Sequence, residues 1–175
     1  MNQQPKPIPV VSAILLKRDG GELRIFLQTR WKPTTSPTYS GMIEIPAGSV
    51  ESYENVYDAL KREVREETNL DVVRVIDDYH GDVVKPSERD KAFVFKPFIC
   101  QQVLQTNDGL PWIGFVFLCE VEGEVRINTD EAKEPKWVSV SELKAMIANK
   151  PESIFPLQLP ALEYFIANFD SKRAA

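Results

Sequence analysis

The sequence predicts an α/β fold, an α/β/α sandwich in which helices pack on both faces of a mixed β-sheet. Three observations indicate this class: strand-like runs alternate with helical segments, one helix carries carboxylates toward the core, and the chain closes with an amphipathic helix. With 175 residues, the chain is long enough to bury roughly 70% of its unfolded surface. We therefore expect one domain over residues 1–175.

The first predicted element is a β-hairpin. Residues 10–16 and 23–29 are rich in β-branched and aliphatic side chains, and they flank the turn sequence KRDGG. The Pro-, Ser- and Thr-rich segment 31–41 is typical of a loop. It leads to the short apolar run MIEIP and then to Ala47 and Gly48.

The next element is a helix with an unusual distribution of charge. We expect Ser52 to cap it and Glu54 to lie in its first turn. At about 100° per residue, Glu63 and Glu67 fall near the middle of an apolar arc, and Glu66 lies at its edge. The apolar side chains of that arc are Val56, Ala59, Leu60, Val64 and Leu70.

The rest of the chain supplies strands and two more helices. Residues 72–76, 92–104 and 112–121 have the composition of strands, and Asn107-Asp108-Gly109 predicts a hairpin between the last two. Ser139 and Glu142 form a capping box for a helix over residues 140–148. Residues 157–169 fit an amphipathic helix that packs on the sheet.

The inward glutamates of the first helix indicate a metal site. A solvated helix face is the simpler interpretation of most charge runs. Carboxylates beside buried aliphatic side chains, however, repel each other and lose hydration unless a positive charge lies among them. All the donors are hard oxygens without His or Cys, which favours Mg²⁺ or Mn²⁺ over zinc or copper.

Residues 48–70 resemble the signature of the Nudix hydrolase family, which includes MutT-like enzymes. One position departs, because Asn69 stands where the family usually has Gly; Asn is the next residue best suited to a left-handed helix C-cap. The resemblance implies the Nudix fold. The positions that match are Gly48, Glu54, Arg62, Glu63, Val64, Glu66, Glu67 and Leu70.

The resemblance also implies roles for individual residues. Glu63 and Glu67 correspond to metal ligands, joined by the backbone carbonyl of Ala47. Glu66 is a ligand or the base that orients water. An acidic loop residue ahead of a late strand often takes that second role in the family, and Glu131 is our candidate, with Glu134 second; both also fit solvated loop positions.

Arg62 corresponds to the family's arginine that holds the glutamates in position. An ordinary surface ion pair with Asp58 or Glu66, one turn away on either side, remains an alternative. Candidate substrate-binding residues are Arg30, Trp31, Tyr39 and Trp112. The three aromatic side chains suit stacking on a base, although each also fits a packing role.

The implied activity is metal-dependent hydrolysis of a phosphoanhydride in a nucleoside diphosphate linked to another group. The run 44–48, EIPAG, resembles ADP-ribose and nucleotide-sugar pyrophosphatases, and Pro86 points the same way. The few residues before Val10 argue against that group, whose members often carry extra N-terminal strands. A (d)NTP-sanitising pyrophosphohydrolase is the alternative, followed by a nucleotide sensor without activity, which retention of the glutamates disfavours.

Composition excludes several other classes. The net charge of −5 and pI near 5.1 disfavour a surface that binds duplex nucleic acid. The single histidine, His80, cannot build a multi-histidine zinc site. Cys100 and Cys119 are expected to be reduced, buried thiols. Without an apolar N-terminal span, we expect a cytoplasmic protein that does not insert in a membrane, and a homodimer is left open.

Overall fold

The computed structural model describes residues 5–127 and 129–169. Its strands are β1 (Ile8–Asp19), β2 (Glu22–Arg30), β3 (Ile43–Glu44), β4 (Ala47–Ser49), β5 (Asp71–Ile76), β6 (Tyr79–His80), β7 (Phe95–Lys96), β8 (Ile99–Val103), β9 (Trp112–Glu122) and β10 (Ala132–Ser139). Its α-helices are α1 (Val56–Thr68), α2 (Val140–Asn149) and α3 (Leu159–Asn168).

The main sheet has eight strands, and it is mixed, as the sequence predicted. Its order is β10-β2-β1-β9-β5, and β3, β4 and β8 pair with β2, β1 and β9. Only β1 and β9 run parallel among the paired strands, and β9 occupies one whole edge of β1 from Ile8 to Leu16. On the other edge, β2 pairs at one end and β4 at the other. The sheet therefore has a gap between β2 and β4, which we call the opening in the sheet.

Two apolar clusters lie on opposite faces of this sheet. Strand β1 alternates between them, with Ile14 on one face and Leu15 on the other. Helix α1 packs on the second face through Leu60, while α2 and α3 cover the first face through Leu143 and Phe165. This is the predicted α/β/α sandwich, and α1 is held against the opening in the sheet.

Helix α1 begins later than the sequence predicted. Tyr53 has a left-handed φ of 64°, which no helix continues through, and Asn55 is the N-cap, accepting from the Tyr57 N–H at 2.9 Å. Ser52 is therefore not the cap. Glu54 lies outside the first turn, which leaves its carboxylate free to bond elsewhere.

Helix α1 ends as the sequence predicted, at Asn69 in the left-handed region with φ 64° and ψ 12°. Its N–H donates to the Arg65 carbonyl at 3.0 Å, and its side-chain amide donates to the Glu124 carbonyl at 3.0 Å. The second bond fastens the helix end to the chain that follows β9.

This geometry predicts opposite outcomes for two substitutions at Asn69. Asn69→Gly should change stability by less than about 0.5 kcal/mol, because relief at positive φ offsets one exposed hydrogen bond. Asn69→Val should cost roughly 1–2 kcal/mol, since a β-branched residue resists this conformation. Urea denaturation measures both. Equal stability of the Val variant and the wild type would contradict the left-handed cap.

The predicted strand 92–104 is two separate strands. Pro97 lacks an N–H and divides it: β7 pairs with β6, while β8 pairs with β9 from Val103 opposite Trp112. The hairpin at residues 107–109 is confirmed. Both cysteines are free thiols, but only Cys119 is buried; Cys100 is exposed, which corrects the prediction for it.

The last two helices follow the sequence closely. Ser139 and Glu142 form the predicted capping box of α2, with bonds of 3.1 and 2.6 Å between side chain and backbone. Helix α3 buries Ala161, Leu162 and Phe165. Across residues 5–127 and 129–169, none of the helices is long and apolar enough to cross a membrane.

Candidate active site

Arg62 lies at the centre of an ion-pair cluster in the candidate site. Its guanidinium donates to Glu54 at 2.8 and 2.9 Å, to Glu63 at 2.7 Å and to the Ser49 carbonyl at 3.0 Å, with a longer contact of 3.4 Å to Glu66. The Arg62 hydrogen bond lowers the pKa of Glu54 to about 2. Arg62 thus joins α1 to β4, which a simple surface ion pair would not do.

Gly48 makes room for Glu63. A Cβ atom built on Gly48 would lie 1.9 Å from Cδ of Glu63 and 2.1 Å from both its carboxylate oxygens. No side chain fits at position 48 while Glu63 keeps this position. The sequence pattern marked Gly48, and the structure supplies its physical reason.

A buried polar layer connects β2, β3 and α1. The Gln28 amide donates to the Glu67 carboxylate at 2.7 Å, and Arg30 pairs with Glu44 at 3.0 Å. Gln28 is fully buried, Glu44 is 4% exposed and Glu67 is 8% exposed. Glu67 therefore lies in the interior, as its place on the apolar arc predicted.

Gln28 and Glu44 belong to this layer, although neither is among the site residues predicted from the sequence. The available signal was a polar residue inside each of two short apolar runs, FLQT and MIEIP. A polar side chain on a buried strand needs a partner, so these runs indicate that Gln28 and Glu44 are paired but do not indicate with which residues.

Burial and mutual repulsion raise the pKa values of these carboxyl groups. Burial raises the pKa of Glu67 to about 8, the charge of Glu44 adds to the shift, and the Gln28 hydrogen bond opposes it. Burial also raises the pKa of Glu44 against its pairing with Arg30, and that of Glu63 against its pairing with Arg62. The neighbouring positive charges therefore do not fully offset the burial of these carboxylates.

The donor set fits a hard divalent cation. All its side-chain donors are carboxylate oxygens, and the raised pKa of Glu67 shows that additional positive charge would stabilise the ionised layer. In the described part of the chain no three acidic, His or Cys side chains converge as a ready-made metal site. Each carboxylate instead has its own partner: Arg62 for Glu63, Gln28 for Glu67.

Stability should therefore depend on pH in a predictable direction when no metal is added. The pKa of Glu67 is raised from 4.5 to about 8 in the folded protein. Its contribution to the free energy of unfolding is therefore fully present below pH 4.5 and is lost as the pH rises to about 8. The loss is on the order of a few kcal/mol, since one pKa unit equals about 1.4 kcal/mol. Urea denaturation in chelator between pH 5.5 and 8.5 measures it.

The matched variant for this measurement is Glu67→Gln. The wild-type unfolding free energy should fall more steeply with pH than that of the variant, because Gln does not titrate. Parallel curves for the two proteins would show that the Glu67 carboxyl is not held in its protonated form.

Glu66 and Glu131 line one open groove of about 680 Å³, together with Arg65, Asn69, Thr129 and Asp130. Glu131 directly precedes β10 and pairs with the ammonium group of Lys32. Glu134, the second candidate, has a φ of 49° at a bulge in β10 and accepts from the Thr29 hydroxyl at 3.0 Å. The fold thus places Glu131, rather than Glu134, in the groove with Glu66.

A smaller cleft of about 240 Å³ lies at the opening in the sheet and is lined by residues of β1, β2, β3, β4 and β9. Lys32 lies between the two sites, since it lines the cleft and pairs with Glu131 of the groove. The cleft residues that matter most here are Arg30, Lys32, Glu44, Ala47, Trp112 and Gln158.

Two of the four predicted substrate-binding residues, Arg30 and Trp112, line this cleft. Tyr39 does not: it is 5% exposed and packs edge-on against Phe155 with 5.1 Å between ring centroids, which is the alternative packing role. Trp31 is exposed outside the cleft, and the ammonium of Lys133 covers its ring at 3.4 Å.

Residues 6–158 match the family model described as the NUDIX domain. No curated relative matches the sequence.

Solved structures with the same fold include three from different organisms. The MutT protein from Methanosarcina mazei Go1 is 23% identical, with a TM-score of 0.62 and coverage of 94% of this chain and 96% of that one. A possible asymmetric diadenosine tetraphosphate hydrolase from Jonesia denitrificans is 17% identical, with a TM-score of 0.62 and coverage of 93% and 94%. The NUDIX domain of Shewanella oneidensis NrtR, complexed with ADP ribose, is 13% identical, with a TM-score of 0.60 and coverage of 90% and 85%.

Proposed function

The chain belongs to the NUDIX family and is a Nudix pyrophosphohydrolase, and from that premise we propose that it hydrolyses the diphosphate of ADP-ribose or a related nucleotide sugar. The observation that carries this proposal is the position of the segment Ala47-Gly48. Ala47 and Gly48 line the cleft that contains Arg30 and Trp112, and Gly48 also lies against Glu63 of α1. A substrate in the cleft would therefore reach the carboxylates.

We assign the cation to Glu63, Glu66, Glu67 and the carbonyl of Ala47. Members of the family generally need a divalent metal, commonly Mg²⁺. When bound, Mg²⁺ or Mn²⁺ would lower the pKa of a water molecule and neutralise charge on the departing phosphate. Arg62 positions Glu63 through their 2.7 Å hydrogen bond.

The remaining roles follow from charge and access. Glu66 has a side chain that is 60% exposed, which suits a group that orients or deprotonates water in the groove. Glu131 is the alternative base, and its pairing with Lys32 would have to loosen first. Arg30 and Lys32 supply positive charge for the diphosphate, and Trp112 offers a ring for the base.

The choice of substrate rests on two features. Ala47 in the sequence EIPAG resembles the ADP-ribose and nucleotide-sugar group, and the NrtR domain with the same fold binds ADP ribose. The (d)NTP-sanitising alternative is favoured by the MutT protein of similar fold. A sensor without activity is disfavoured because all three box glutamates are present.

The deciding experiment is a substrate panel with purified protein and Mg²⁺. ADP-ribose, nucleotide sugars, dinucleoside polyphosphates and ordinary and oxidised (d)NTPs would be compared by kcat/KM, with products resolved by ion-exchange chromatography. We expect AMP and a sugar phosphate from ADP-ribose. Because binding of the remote sugar lowers the barrier, trimming that group should reduce kcat/KM steeply.

A triphosphate that exceeds ADP-ribose in kcat/KM by about tenfold, or about 1.4 kcal/mol of transition-state binding, would establish the sanitising alternative. Turnover of none of these substrates, with tight binding of one, would establish the sensor.

A further inference from the structure

Gln158 binds the backbone of a residue 113 positions earlier in the chain. The Ile45 N–H donates to Oε1 of Gln158 at 2.8 Å, and Nε2 of Gln158 donates to the Ile45 carbonyl at 3.0 Å. Gln158 is 2% exposed and Ile45 is fully buried. The backbone N–H and the backbone carbonyl of Ile45 are therefore both hydrogen-bonded by one side chain.

Ile45 needs this partner because it lies in the opening of the sheet. Strand β3 ends at Glu44 and β4 begins at Ala47, and between them Pro46 has no N–H to donate. A buried backbone N–H or carbonyl without a partner costs free energy. The Gln158 amide takes the place of the missing strand by offering one donor and one acceptor.

The segment held in this way, residues 44–47, carries two groups of the site. Its first residue places the Glu44 carboxylate near enough to Glu67 to raise the pKa of Glu67. Its last residue, Ala47, lines the cleft, and so does Gln158. Just before the segment, the Phe155 N–H donates to the Ile43 carbonyl at 2.7 Å, so the chain that leads into α3 binds both Ile43 and Ile45.

We propose that Gln158 is a positioning residue for the reaction: it fixes the backbone of Ile45 so that the Ala47 carbonyl and the Glu44 carboxylate keep their places beside the glutamates of α1. The inference rests on the proposed function only in assigning the Ala47 carbonyl to the cation. The hydrogen bonds that carry it are features of the fold.

The amide chemistry of Gln158 distinguishes two variants. Gln158→Leu removes both the donor and the acceptor. Gln158→Met keeps the length of the side chain but has no N–H donor for the Ile45 carbonyl and only a weak sulfur acceptor for the Ile45 N–H. Ser139→Ala is the matched control, because it removes a buried polar side chain at the opposite end of the β10–β2 pair, beside Arg24 rather than Arg30.

The test measures Mn²⁺ affinity by electron paramagnetic resonance, kcat and KM with Mg²⁺, and the melting temperature in chelator. Gln158→Leu and Gln158→Met should each weaken Mn²⁺ binding and lower kcat by about 10–100-fold, the range for residues that orient metal ligands. KM should change by less than about threefold, because a lower kcat at constant KM marks loss of transition-state interactions. Excess Mg²⁺ should restore part of kcat.

Three outcomes would overturn the inference. Melting temperatures that fall as in Ser139→Ala, with Mn²⁺ affinity and kcat unchanged, would show a purely structural residue. A raised KM at constant Mn²⁺ affinity would show that Gln158 contacts substrate instead. If Gln158→Leu does not fold, Gln158→Met decides, and wild-type Mn²⁺ affinity in that variant would equally reject the proposal.

Failure of the proposed function would look different. A wild-type protein that binds Mn²⁺ but hydrolyses no substrate of the panel would reject the function, while the Mn²⁺ titrations of the Gln158 variants would still test the positioning role.

Discussion

Glu67→Gln should lower kcat by on the order of 10²-fold or more, the effect of losing one electrostatic stabiliser of a transition state. The protein should remain folded. Gln at position 67 can still accept the hydrogen bond that Gln28 donates at 2.7 Å, and it removes the repulsion from Glu44 that helps to raise the pKa of Glu67. In chelator, the variant should therefore melt no lower than the wild type.

The stabilising effect of this substitution should itself depend on pH. Because the pKa of Glu67 is raised from 4.5 to about 8 in the folded protein, the wild type loses stability relative to the non-titrating Gln variant as the pH rises between these values. The gain in melting temperature should therefore be small at pH 5.5 and close to its full size at pH 8.5. Kinetics in Mg²⁺ and thermal melts in chelator at both pH values measure the two effects.

Asp58→Asn is the matched control, because Asp58 lies exposed in the first turn of the same helix. It should lose a little stability, about 0.3–1 kcal/mol, from the helix dipole, and keep full activity. Full activity in Glu67→Gln, or in wild type with excess chelator, would reject the metal-site assignment.

The general form of the site could be predicted because α1 breaks the usual pattern of a surface helix. Glu63 and Glu67 on an apolar arc required a buried positive partner or a cation, and the structure buries Glu67 beside Gln28 and Glu44. Helical periodicity and glutamate spacing are local properties, so a single sequence is enough to predict them.

The partners of those glutamates could not be predicted for the opposite reason. Gln28 meets Glu67 across 39 positions, and Gln158 meets Ile45 across 113. Nothing in the local sequence encodes such pairs. They follow from the opening of the sheet between β2 and β4, which is decided by how β1 divides one edge between two partners.

The helix start was predicted wrongly on purely local grounds. Ser52 and Asn55 are both good N-caps by residue type, and the left-handed conformation of Tyr53 decides between them. The later start has a functional consequence. Glu54, left outside the helix, accepts two hydrogen bonds from Arg62, and this holds Arg62 where it also reaches Glu63.

Gly48→Ala should impair the enzyme by moving Glu63. The added methyl group would lie 1.9 Å from Cδ of Glu63, and Gly48 does not have a positive φ that would itself exclude alanine. The flexible end of Glu63 must therefore swing away and give up its hydrogen bond with Arg62. We expect Mn²⁺ affinity and kcat to fall by about 10–100-fold, as when a metal ligand loses its orientation, with a stability loss of only about 1 kcal/mol.

Two comparisons isolate this cause. Ser49→Ala changes the neighbouring exposed side chain but keeps the carbonyl that accepts from Arg62 at 3.0 Å, so its activity should equal that of the wild type. In a Glu63→Ala background, Gly48→Ala should add almost no further loss, since the two changes act on one group and cannot be additive. Additive losses in that double variant would show that the methyl group acts on something other than Glu63, and the role assigned to Gly48 would be wrong.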